Sequence, residues 1–413
     1  MAGASLVSTQ SHVETPFIVV KIGNYTFGHC GRSDRLKLQN TFNITYPNYM
    51  EALNITKLNG AVNTYTLSMV YAITANDDPN KLEKVFSSVS NTRTLKLSYG
   101  DWSAPQFIYK EEEAIITKIS TQVNMRNSTI QYTITCTSTS LKLSSTPFSF
   151  PAKFAKPSDE IKALFSNNRY GLFDIFKGVT STNIEELIAS DDKAVQLEAK
   201  PSVNVLDYIS YLVSCMVSFK DSSDSIKTAC YYWSVYDDIS NVYGGSYIRV
   251  VKVNSNTNIA DSYNTYEVDI GYPTDACVMD FSINSDDSWA LMYNYSKQIH
   301  TSEYVYRIDD DGAVVPIQSE AITNSPTTHN TTEATRDWWS RVTQFPITAT
   351  LTLKGLLRPT MLMSYVKVNT YFYGRKHISS GLYIITKQQD TINSSGYRTT
   401  LSLTRVGGDA EYI

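Results

Sequence analysis

A four-residue echo on two predicted hairpins is the feature that most constrains the fold of this chain. The sequence Ile-Ile-Thr-Lys occurs at residues 115–118 and again at residues 384–387. Each copy is followed by a turn that contains Asn and Ser and by a strand that begins with a tyrosine, at Tyr132 and at Tyr397. Two interpretations stay open: one β unit present twice, or the same short sequence on two ordinary hairpins of an Ile- and Thr-rich chain. Under the first, three copies of the chain present six similar surfaces.

Alternating apolar residues predict strands in the N-terminal part of the chain. A strand with one buried face carries a large apolar side chain at every second position. Three stretches show this pattern, at Tyr65, Leu67, Met69, Tyr71 and Ile73, at Leu95, Leu97 and Tyr99, and at Ile130, Tyr132, Ile134 and Cys136. One helix between them is predicted from an N-cap at Asp78 and an apolar face of Leu82, Val85, Phe86 and Val89. We therefore expect a first β domain, residues 1–146, with one helix.

The middle of the chain has a different character. Pro147, Pro151 and Pro157 exclude a regular helix or a central strand and predict a domain boundary. Beyond it we predict three amphipathic helices: one capped by Ser158, one with a capping box at Thr182, and one with an apolar face from Val205 to Met216. Short strands follow, and we expect the helices to pack on them. Residues 147–341 are assigned to a middle α+β domain.

The C-terminal part again alternates strictly. Its apolar positions are Ile347, Ala349, Leu351 and Leu353, then Val366, Val368 and Phe372, then Tyr397, Leu401 and Leu403. We predict a compact antiparallel β domain at residues 342–413. The predicted fold class is therefore mainly β with some α, in which two antiparallel barrel or sandwich domains flank an α+β insertion.

Composition narrows the class of partner and the compartment. The 413-residue chain has a net charge of −4, so no large basic excess points to nucleic acid, although a local basic patch stays possible. The 29 tyrosines against 15 phenylalanines suit half-exposed strands and interfaces. Five scattered cysteines favour a reducing compartment, and we see no secretory signal in residues 1–15 and no apolar span of bilayer length. We expect folding in a cytoplasm without membrane insertion.

No pattern of catalytic or metal-binding residues is found. The five histidines lie far apart, without the spacing of a zinc site, and the acidic turn at residues 309–312 lacks the ligand spacing of a calcium loop. General acid and base chemistry needs groups that converge, which the sequence does not indicate. We predict no enzyme activity, no metal and no cofactor.

Two clusters are candidates for an interface. Glu111, Glu112 and Glu113 form either a charged start of a strand that discourages edge pairing or a docking patch for a basic partner. Adjacent strand residues point to opposite faces, which is poor geometry for a glycosidase pair. Trp338 and Trp339 have three interpretations: a structural anchor at a domain junction, an interface residue, or a surface for stacking of sugars.

A family resemblance emerges from the order of the C-terminal segments. These are Gly-Leu-Leu-Arg-Pro at 355–359, Tyr-Val-Lys-Val at 365–368, Tyr-Phe-Tyr-Gly at 371–374, Ser-Gly-Leu-Tyr-Ile-Ile-Thr at 380–386 and Gly-Tyr-Arg-Thr-Thr-Leu-Ser-Leu-Thr-Arg at 396–405. In this order they resemble the closing tube-type domain of the baseplate hub proteins of tailed bacteriophages, a family related to the hubs of contractile injection machines. The N-terminal region is similar to the family's first tube-type domain in outline, whereas residues 151–341 depart from it.

The resemblance implies a structural role for the chain. It implies a homotrimer in which two tube-type domains per chain alternate to form a pseudo-six-fold ring around the DNA channel, through which DNA passes without specific binding. The implied partners are the tail tube protein ring, the central spike protein, and baseplate wedge or tape-measure proteins. The implied location is the tail baseplate of a virion assembled in the bacterial host cytoplasm. The alternative is a receptor- or carbohydrate-binding tail protein that uses Trp338 and Trp339.

Overall fold

The structure of the chain is a computed structural model in which a large antiparallel sheet dominates. It describes residues 15–30, 35–47, 49–76, 78, 80–89, 91–101, 108–166, 170, 172, 175–176, 178–190, 192, 194–216, 230–237, 246–253, 264–270, 277–285, 299–300, 305–308, 314–317, 347–355, 362–377 and 379–408. Within these ranges, no helix combines the length and the hydropathy that a membrane span needs.

The N-terminal part contains the strands that were predicted from alternation. Its elements are β1 (Pro16–Ile22), β2 (Tyr25–Cys30), α1 (Arg35–Phe42), β3 (Tyr46–Pro47), β4 (Met50–Leu58), β5 (Thr64–Ala72), α2 (Lys81–Ser87), β6 (Thr94–Asp101), β7 (Ile108–Asn124) and β8 (Thr129–Ser138), then a 3-10 turn (Thr139–Leu141) and α3 (Lys142–Ser145). The predicted inward positions within β5, β6 and β8 are buried, because one face of these strands packs on the core, whereas Ile73 lies beyond the end of β5 and is half-buried.

Two details of the helices in this part differ from the prediction. The predicted helix is α2, with Leu82 and Val85 buried, but its N-cap is Asn80; the side chain of Asp78 instead accepts a hydrogen bond from the Asn80 N–H. The prediction of a single helix is also wrong, because α1 precedes it. The α1 sequence lacks a regular apolar face, so no period of 3.6 residues indicated it.

The middle part contains helices and short strands. Its elements are β9 (Phe148–Phe150), β10 (Lys153–Ala155), α4 (Pro157–Ser166), α5 (Ser181–Leu187), β11 (Val195–Leu197), β12 (Lys200–Val203), α6 (Val205–Cys215), β13 (Cys230–Tyr236), β14 (Tyr247–Val253), β15 (Asn264–Ile270), β16 (Val278–Ser285), β17 (Ile299–His300), β18 (Val305–Ile308) and β19 (Val314–Ile317). The helices α4, α5 and α6 share one core with β13 and β14, as predicted.

The beginnings of two middle helices correct the sequence prediction. Ser158 lies inside α4, and its backbone N–H donates to the Asp192 carboxylate, so Ser158 is not the cap. Helix α5 is capped by Thr180, whose Oγ1 accepts from the Asn183 N–H at 3.4 Å, and not by Thr182. Both errors are shifts of two residues or fewer within polar segments, where several side chains can serve as a cap.

The C-terminal strands complete the main sheet. They are β20 (Ile347–Lys354), β21 (Tyr365–Phe372), β22 (Arg375–Lys376), β23 (Gly381–Asn393) and β24 (Gly396–Gly408). The described strands of this sheet follow the order β16-β20-β24-β23-β4-β5-β8-β7-β6-β1-β2-β3, and β21 joins β23 to β15 and β22. All of these pairs are antiparallel except β2 with β3 and β15 with β21. Of the predicted inward positions, Phe372 is wrong, since it is 40% exposed.

The sheet crosses the boundaries that were predicted from sequence. Strands β15 and β16 come from the segment assigned to the middle domain, yet they pair with β21 and β20. In the opposite direction, Ile392 and Tyr397 from the C-terminal hairpin belong to the apolar core of the N-terminal strands. The N-terminal and C-terminal strands are therefore joined along one hydrogen-bonded sheet.

Candidate functional site

Two sets of five strands in the sheet have the same order and orientation. The first set is β4-β5-β8-β7-β6, and the second set is β16-β20-β24-β23-β21. Each neighbouring pair in both sets is antiparallel. The hairpin that carries the sequence echo lies at the same place in each set. The echo is thus part of a larger repeated arrangement.

The echoed tetrapeptide forms the same β-bulge in both sets. The register between β7 and β8 shifts between Ile116 and Lys118, and the register between β23 and β24 shifts between Ile385 and Lys387. The extra residue is a threonine each time. Thr117 donates its hydroxyl to the Thr135 carbonyl at 3.0 Å, and Thr386 donates to the Ser402 carbonyl at 3.2 Å. A bulge leaves one residue out of the ladder, and a threonine hydroxyl here bonds across to the partner strand.

A second bulge is also shared. In the first set the register of β4 against β5 shifts between Met50 and Ala52, and in the second set that of β16 against β20 shifts between Val278 and Asp280. When the threonine bulges are matched through the strand registers, Glu51 corresponds to Met279. Two coincident irregularities favour duplication over two unrelated hairpins, because a bulge fixes local twist and register.

The two sets meet within one chain at a strand junction between β23 and β4. The first part of β23 pairs with β21, and its second part, from Lys387 to Ile392, pairs with β4 from Leu58 to Leu53. Strand β23 therefore contributes to both sets along its length. The side chains at the junction face a common interior, where Leu53, Ile55 and Ile392 are buried.

A buried ion pair lies beside this junction. Lys57 of β4 and Glu112 of β7 are 0% and 2% exposed, and the Lys57 Nζ lies 3.6 Å from the Glu112 Oε1. Tyr65 and Tyr99 donate their hydroxyls to the two oxygens of Glu112, at 2.5 Å and 2.7 Å. The carboxylate is thus paired and hydrogen-bonded, which is the condition under which a protein tolerates a buried charge.

Polar groups of the C-terminal hairpin extend this cluster. Asp390 accepts hydrogen bonds from the Thr399 hydroxyl at 2.7 Å and from the Gln388 Nε2 at 2.9 Å, and all three side chains are buried. Tyr397 lies between the two halves, with its ring 6.5 Å from that of Tyr99. Burial, together with the negative charges of Asp390 and Glu112, raises the pKa of Tyr397 well above its ordinary value, so this side chain is a neutral donor.

The ion-pair cluster has no counterpart in the second set. The positions that correspond to its four members are occupied by small or uncharged residues, namely Ser285 for Lys57, Gly381 for Glu112, Ala349 for Tyr65 and Thr370 for Tyr99. The buried charges are therefore a property of the first set and of the junction inside the chain.

The structure separates the three predicted interface glutamates. Glu111 is exposed, and Glu113 forms a surface ion pair of 3.2 Å with Lys96. The prediction of Glu112 as an interface residue is wrong. Strand alternation points its side chain into the interior, where the carboxylate accepts hydrogen bonds from Tyr65 and Tyr99. An interface role stays a prediction for Glu111 and Glu113. Trp338 and Trp339 lie outside the described residues, as does the acidic turn at 309–312.

A second buried carboxylate fastens the first set to the middle part. Asp237, after β13, accepts hydrogen bonds from the hydroxyls of Ser138 and Ser140 at 2.7 Å and 2.5 Å, and from the Asn63 N–H at 3.5 Å. Burial raises the pKa of Asp237 above its ordinary value, while the hydrogen bonds from these serines and from Ser246 partly oppose that shift. The arrangement positions strands and presents no group toward a ligand.

No chemistry of catalysis or metal binding emerges from the part of the chain that the structure describes. No group of three or more His, Cys, Asp or Glu side chains there is placed to hold a metal ion. Cys136 and Cys215 are buried free thiols, and burial raises the pKa of Cys136 to about 12. A thiol with so high a pKa is a poor nucleophile. The repeated feature of the structure is the pair of five-stranded sets, and their edge strands are its candidate binding surfaces.

Comparisons with known proteins bear on this fold. A 43 kDa tail protein of prophage MuSo2 from Shewanella oneidensis matches with a TM-score of 0.50 and 11% identity, over 94% of this chain and 96% of that one. The chain has the fold of a phage tail protein. The resemblance that the C-terminal segments indicated is thereby confirmed for the fold.

Two further solved structures are similar at lower scores. A tail protein from Neisseria meningitidis MC58 has a TM-score of 0.47 and 10% identity, over 94% of this chain and 96% of that one. The c3393 protein of E. coli, a component of the type VI secretion system, has a TM-score of 0.41 and 8% identity, over 86% of this chain and 73% of that one. No family model and no curated protein sequence matches the chain.

Proposed function

We propose that this protein is a structural component of a phage tail, the baseplate hub, in which three copies form a ring of six similar β units. The repeated set of five strands with its two shared bulges carries this proposal, and the tail-protein fold supports it. A chain that holds two like units can join a six-fold structure to a three-fold one, because the same ring has both symmetries. The role is structural and not enzymatic.

In this proposal the two strand sets are the tube-type domains of the hub. The N-terminal domain is centred on the first set in residues 1–146, and the C-terminal domain on the second set in residues 342–413. The second set also takes β16 from the segment 147–341, and β15 of that segment pairs with β21. The helices α4, α5 and α6, with β13 and β14, form the core of a middle domain. The ring joins the tail tube protein above it to the central spike protein below it, and wedge or tape-measure proteins contact its outside.

The ring surrounds the channel through which DNA leaves the virion. A chain of net charge −4 repels a polyanion, so DNA passes without specific binding. The protein is assembled in the bacterial host cytoplasm and resides in the tail baseplate. The pairing of β23 with β4 holds the two domains of each chain in a fixed register, which a ring of defined diameter requires.

Native mass spectrometry of the purified protein, together with imaging of particles that contain it, tests this proposal. We expect a species of three chains and a density of the same symmetry on the tail axis. A chain that stays monomeric at all concentrations and is absent from the tail would contradict the proposal. Binding to a glycan array that is lost in Trp339→Ala would instead favour the receptor-binding alternative.

A further inference from the structure

In the part of the chain that the structure describes, several strands of the main sheet pair on one side only, and parts of β7 and of β16 belong to this group. Among the described residues, β7 pairs with β8 alone from Lys118 to Asn124, because β6 covers only its first half. Strand β16 pairs with β20 and ends the sheet on the other side. A long open edge is a template for pairing with another chain unless something covers it.

Both edges expose apolar side chains. On β7, Ile119 and Val123 are 38% and 59% exposed, although they lie beside the buried Ile134 and Ile130 of β8. On β16, Ile283 is 39% exposed. Soluble proteins usually blunt their sheet edges with charge or proline. Residues 119–123 and 281–285 contain neither, whereas the charged Lys118 and Asp280 lie just outside these two segments.

The repeat offers a comparison for these two edges, because the corresponding edges pair with each other inside the chain. Within the chain, the corresponding edges are the second half of β23 and the outer edge of β4, and these two pair with each other. Matching the bulges makes Ile119 and Val123 the counterparts of Gln388 and Ile392, which are 0% and 1% exposed at the junction. Ile283 is the counterpart of Ile55, which is fully buried there.

We propose that residues 119–123 of β7 in one copy pair antiparallel with residues 281–285 of β16 in the next copy. The register is that of the internal junction, so that Val123 lies opposite Phe281 as Ile392 lies opposite Leu53. The inference rests on the proposed function in one respect, namely that copies of this chain assemble into a ring. It adds which edges meet and in which register.

The contact has the chemistry of added strands between like partners. Main-chain hydrogen bonds supply the rungs, and the buried face gains Ile119, Val123 and Ile283. Of these, Ile119 stands where the internal junction has the polar Gln388, and the other two stand where it has isoleucines. The two edges of one chain are different surfaces, so the contact is head-to-tail and closes only as a ring. Each copy then has no open edge at either place.

A cysteine pair across the proposed contact tests the register. Gln122 and Ser282 are exposed, and the register places them opposite each other as Thr391 lies opposite Asn54. We expect Gln122→Cys/Ser282→Cys to form disulfide-linked dimers and trimers upon mild oxidation, since opposite residues in a ladder have Cβ atoms about 4.5–5.5 Å apart. Either single variant should give no such ladder.

The chain provides its own control for this experiment. Asn54→Cys/Thr391→Cys places the same pair at the internal junction, where a disulfide forms within one chain and leaves the mass on a denaturing gel unchanged. If native mass spectrometry shows trimers and the control pair oxidises but Gln122→Cys/Ser282→Cys does not, the edge pairing is wrong while the ring survives. If the wild type is a monomer at all concentrations, both proposals fail.

A charge placed on the edge tests the contact independently. Ile119→Lys/Val123→Lys replaces exposed side chains, so the monomer should retain its wild-type melting temperature, whereas the trimer should weaken by roughly tenfold or more because ammonium groups would be buried in the pair. Met125→Lys is the matched control: Met125 is 90% exposed in the turn beyond the paired segment. Equal trimer affinity of Ile119→Lys/Val123→Lys and the wild type, or equal weakening by Met125→Lys, overturns the proposal.

Discussion

The two strand sets share a backbone plan but differ in the chemistry of their interiors. Both have five antiparallel strands in one order, with bulges at corresponding places. The first set buries Lys57 and Glu112 with two tyrosine hydroxyls, whereas the second set has small residues at those positions. The difference teaches that the strand registers and bulges define the unit. The side chains inside it differ between the two sets while the strand order and the bulges stay the same.

The largest expected loss of stability comes from a substitution in the buried ion pair of Lys57 and Glu112, which only the first set has. Lys57→Met removes the cation and leaves the Glu112 carboxylate buried, so we expect a loss of about 3–5 kcal/mol in the free energy of unfolding. The double variant Lys57→Met/Glu112→Leu should recover much of this loss, because no unpaired charge remains. Urea unfolding followed by tyrosine fluorescence measures both.

A surface pair on neighbouring strands serves as the matched control. Lys96 and Glu113 form an ion pair with side chains 69% and 41% exposed. Lys96→Met should change the free energy of unfolding by less than about 1 kcal/mol. If Lys57→Met costs no more than Lys96→Met, the buried ion pair does not stabilise the interior of the first set.

The next effect concerns a glycine at which the second set contacts the junction. Gly355 donates its N–H to the Tyr397 carbonyl at 2.8 Å, and an added Cβ would lie 2.2 Å from the Tyr397 Cγ. Because the Tyr397 ring is buried between the sets, Gly355→Ala should cost about 1–3 kcal/mol through overpacking. Thermal unfolding measures the change.

Gly374 offers the contrast for that substitution. It has a positive φ of 76°, and a Cβ added there would have no neighbouring atom within 4 Å. Gly374→Ala should therefore cost only the backbone strain, about 1–2 kcal/mol, with no change in the packing of Tyr397. The NMR signals of the Tyr397 ring report on this contact. If they shift in Gly374→Ala and stay unchanged in Gly355→Ala, this account of the contact is wrong.

A third prediction concerns the carboxylate that fastens the first set to the middle part. The pKa of Asp237 is raised above 3.8 in the folded state, so the Asp237 carboxyl binds a proton more tightly in the folded protein than in the unfolded one. The contribution of Asp237 to stability should thus increase as the pH falls through its raised pKa. The melting temperature of the wild type relative to Asp237→Asn is expected to rise as the pH is lowered from 7.5 toward 3.8, and a fall over this range would overturn the assignment.

The smallest effects compare the two threonine bulges directly. Thr117→Val and Thr386→Val keep the branched side chain and remove the hydroxyl that donates across the bulge. Each should cost about 0.5–1.5 kcal/mol, the net worth of one hydrogen bond. Similar losses in chemical unfolding are expected if the bulges are equivalent, and a loss at one site alone would show that the echo is only geometric.

The sequence predicted those features that are set by local patterns. Burial on one face of a strand repeats every two residues, so the inward positions of β5, β6 and β8 could be identified directly. The echo at 115–118 and 384–387 indicated the two hairpins because each copy is followed by a short turn and then by a strand that begins with a tyrosine. Strand β16 was missed as part of the second set because the bulge at Met279 adds a residue and reverses the alternation.

The junction cluster lay beyond sequence reasoning. Lys57, Tyr65, Tyr99 and Glu112 come from four different strands, and the registers that bring them together depend on the whole sheet. A useful signal was present, however. In a strand that alternates, the middle residue of Glu111-Glu112-Glu113 faces the opposite side from its neighbours, and a buried acid on that side calls for a basic or hydroxyl partner.

The length of β23 has a mechanical consequence. One uninterrupted strand belongs to the second set at its start and is hydrogen-bonded to β4 of the first set at its end, over six residue pairs. Force that pulls the two sets apart along the strand direction loads these rungs in parallel, so they resist as a group and do not open one after another. A shared strand of this kind therefore makes the connection between the two sets stiff against a pulling force.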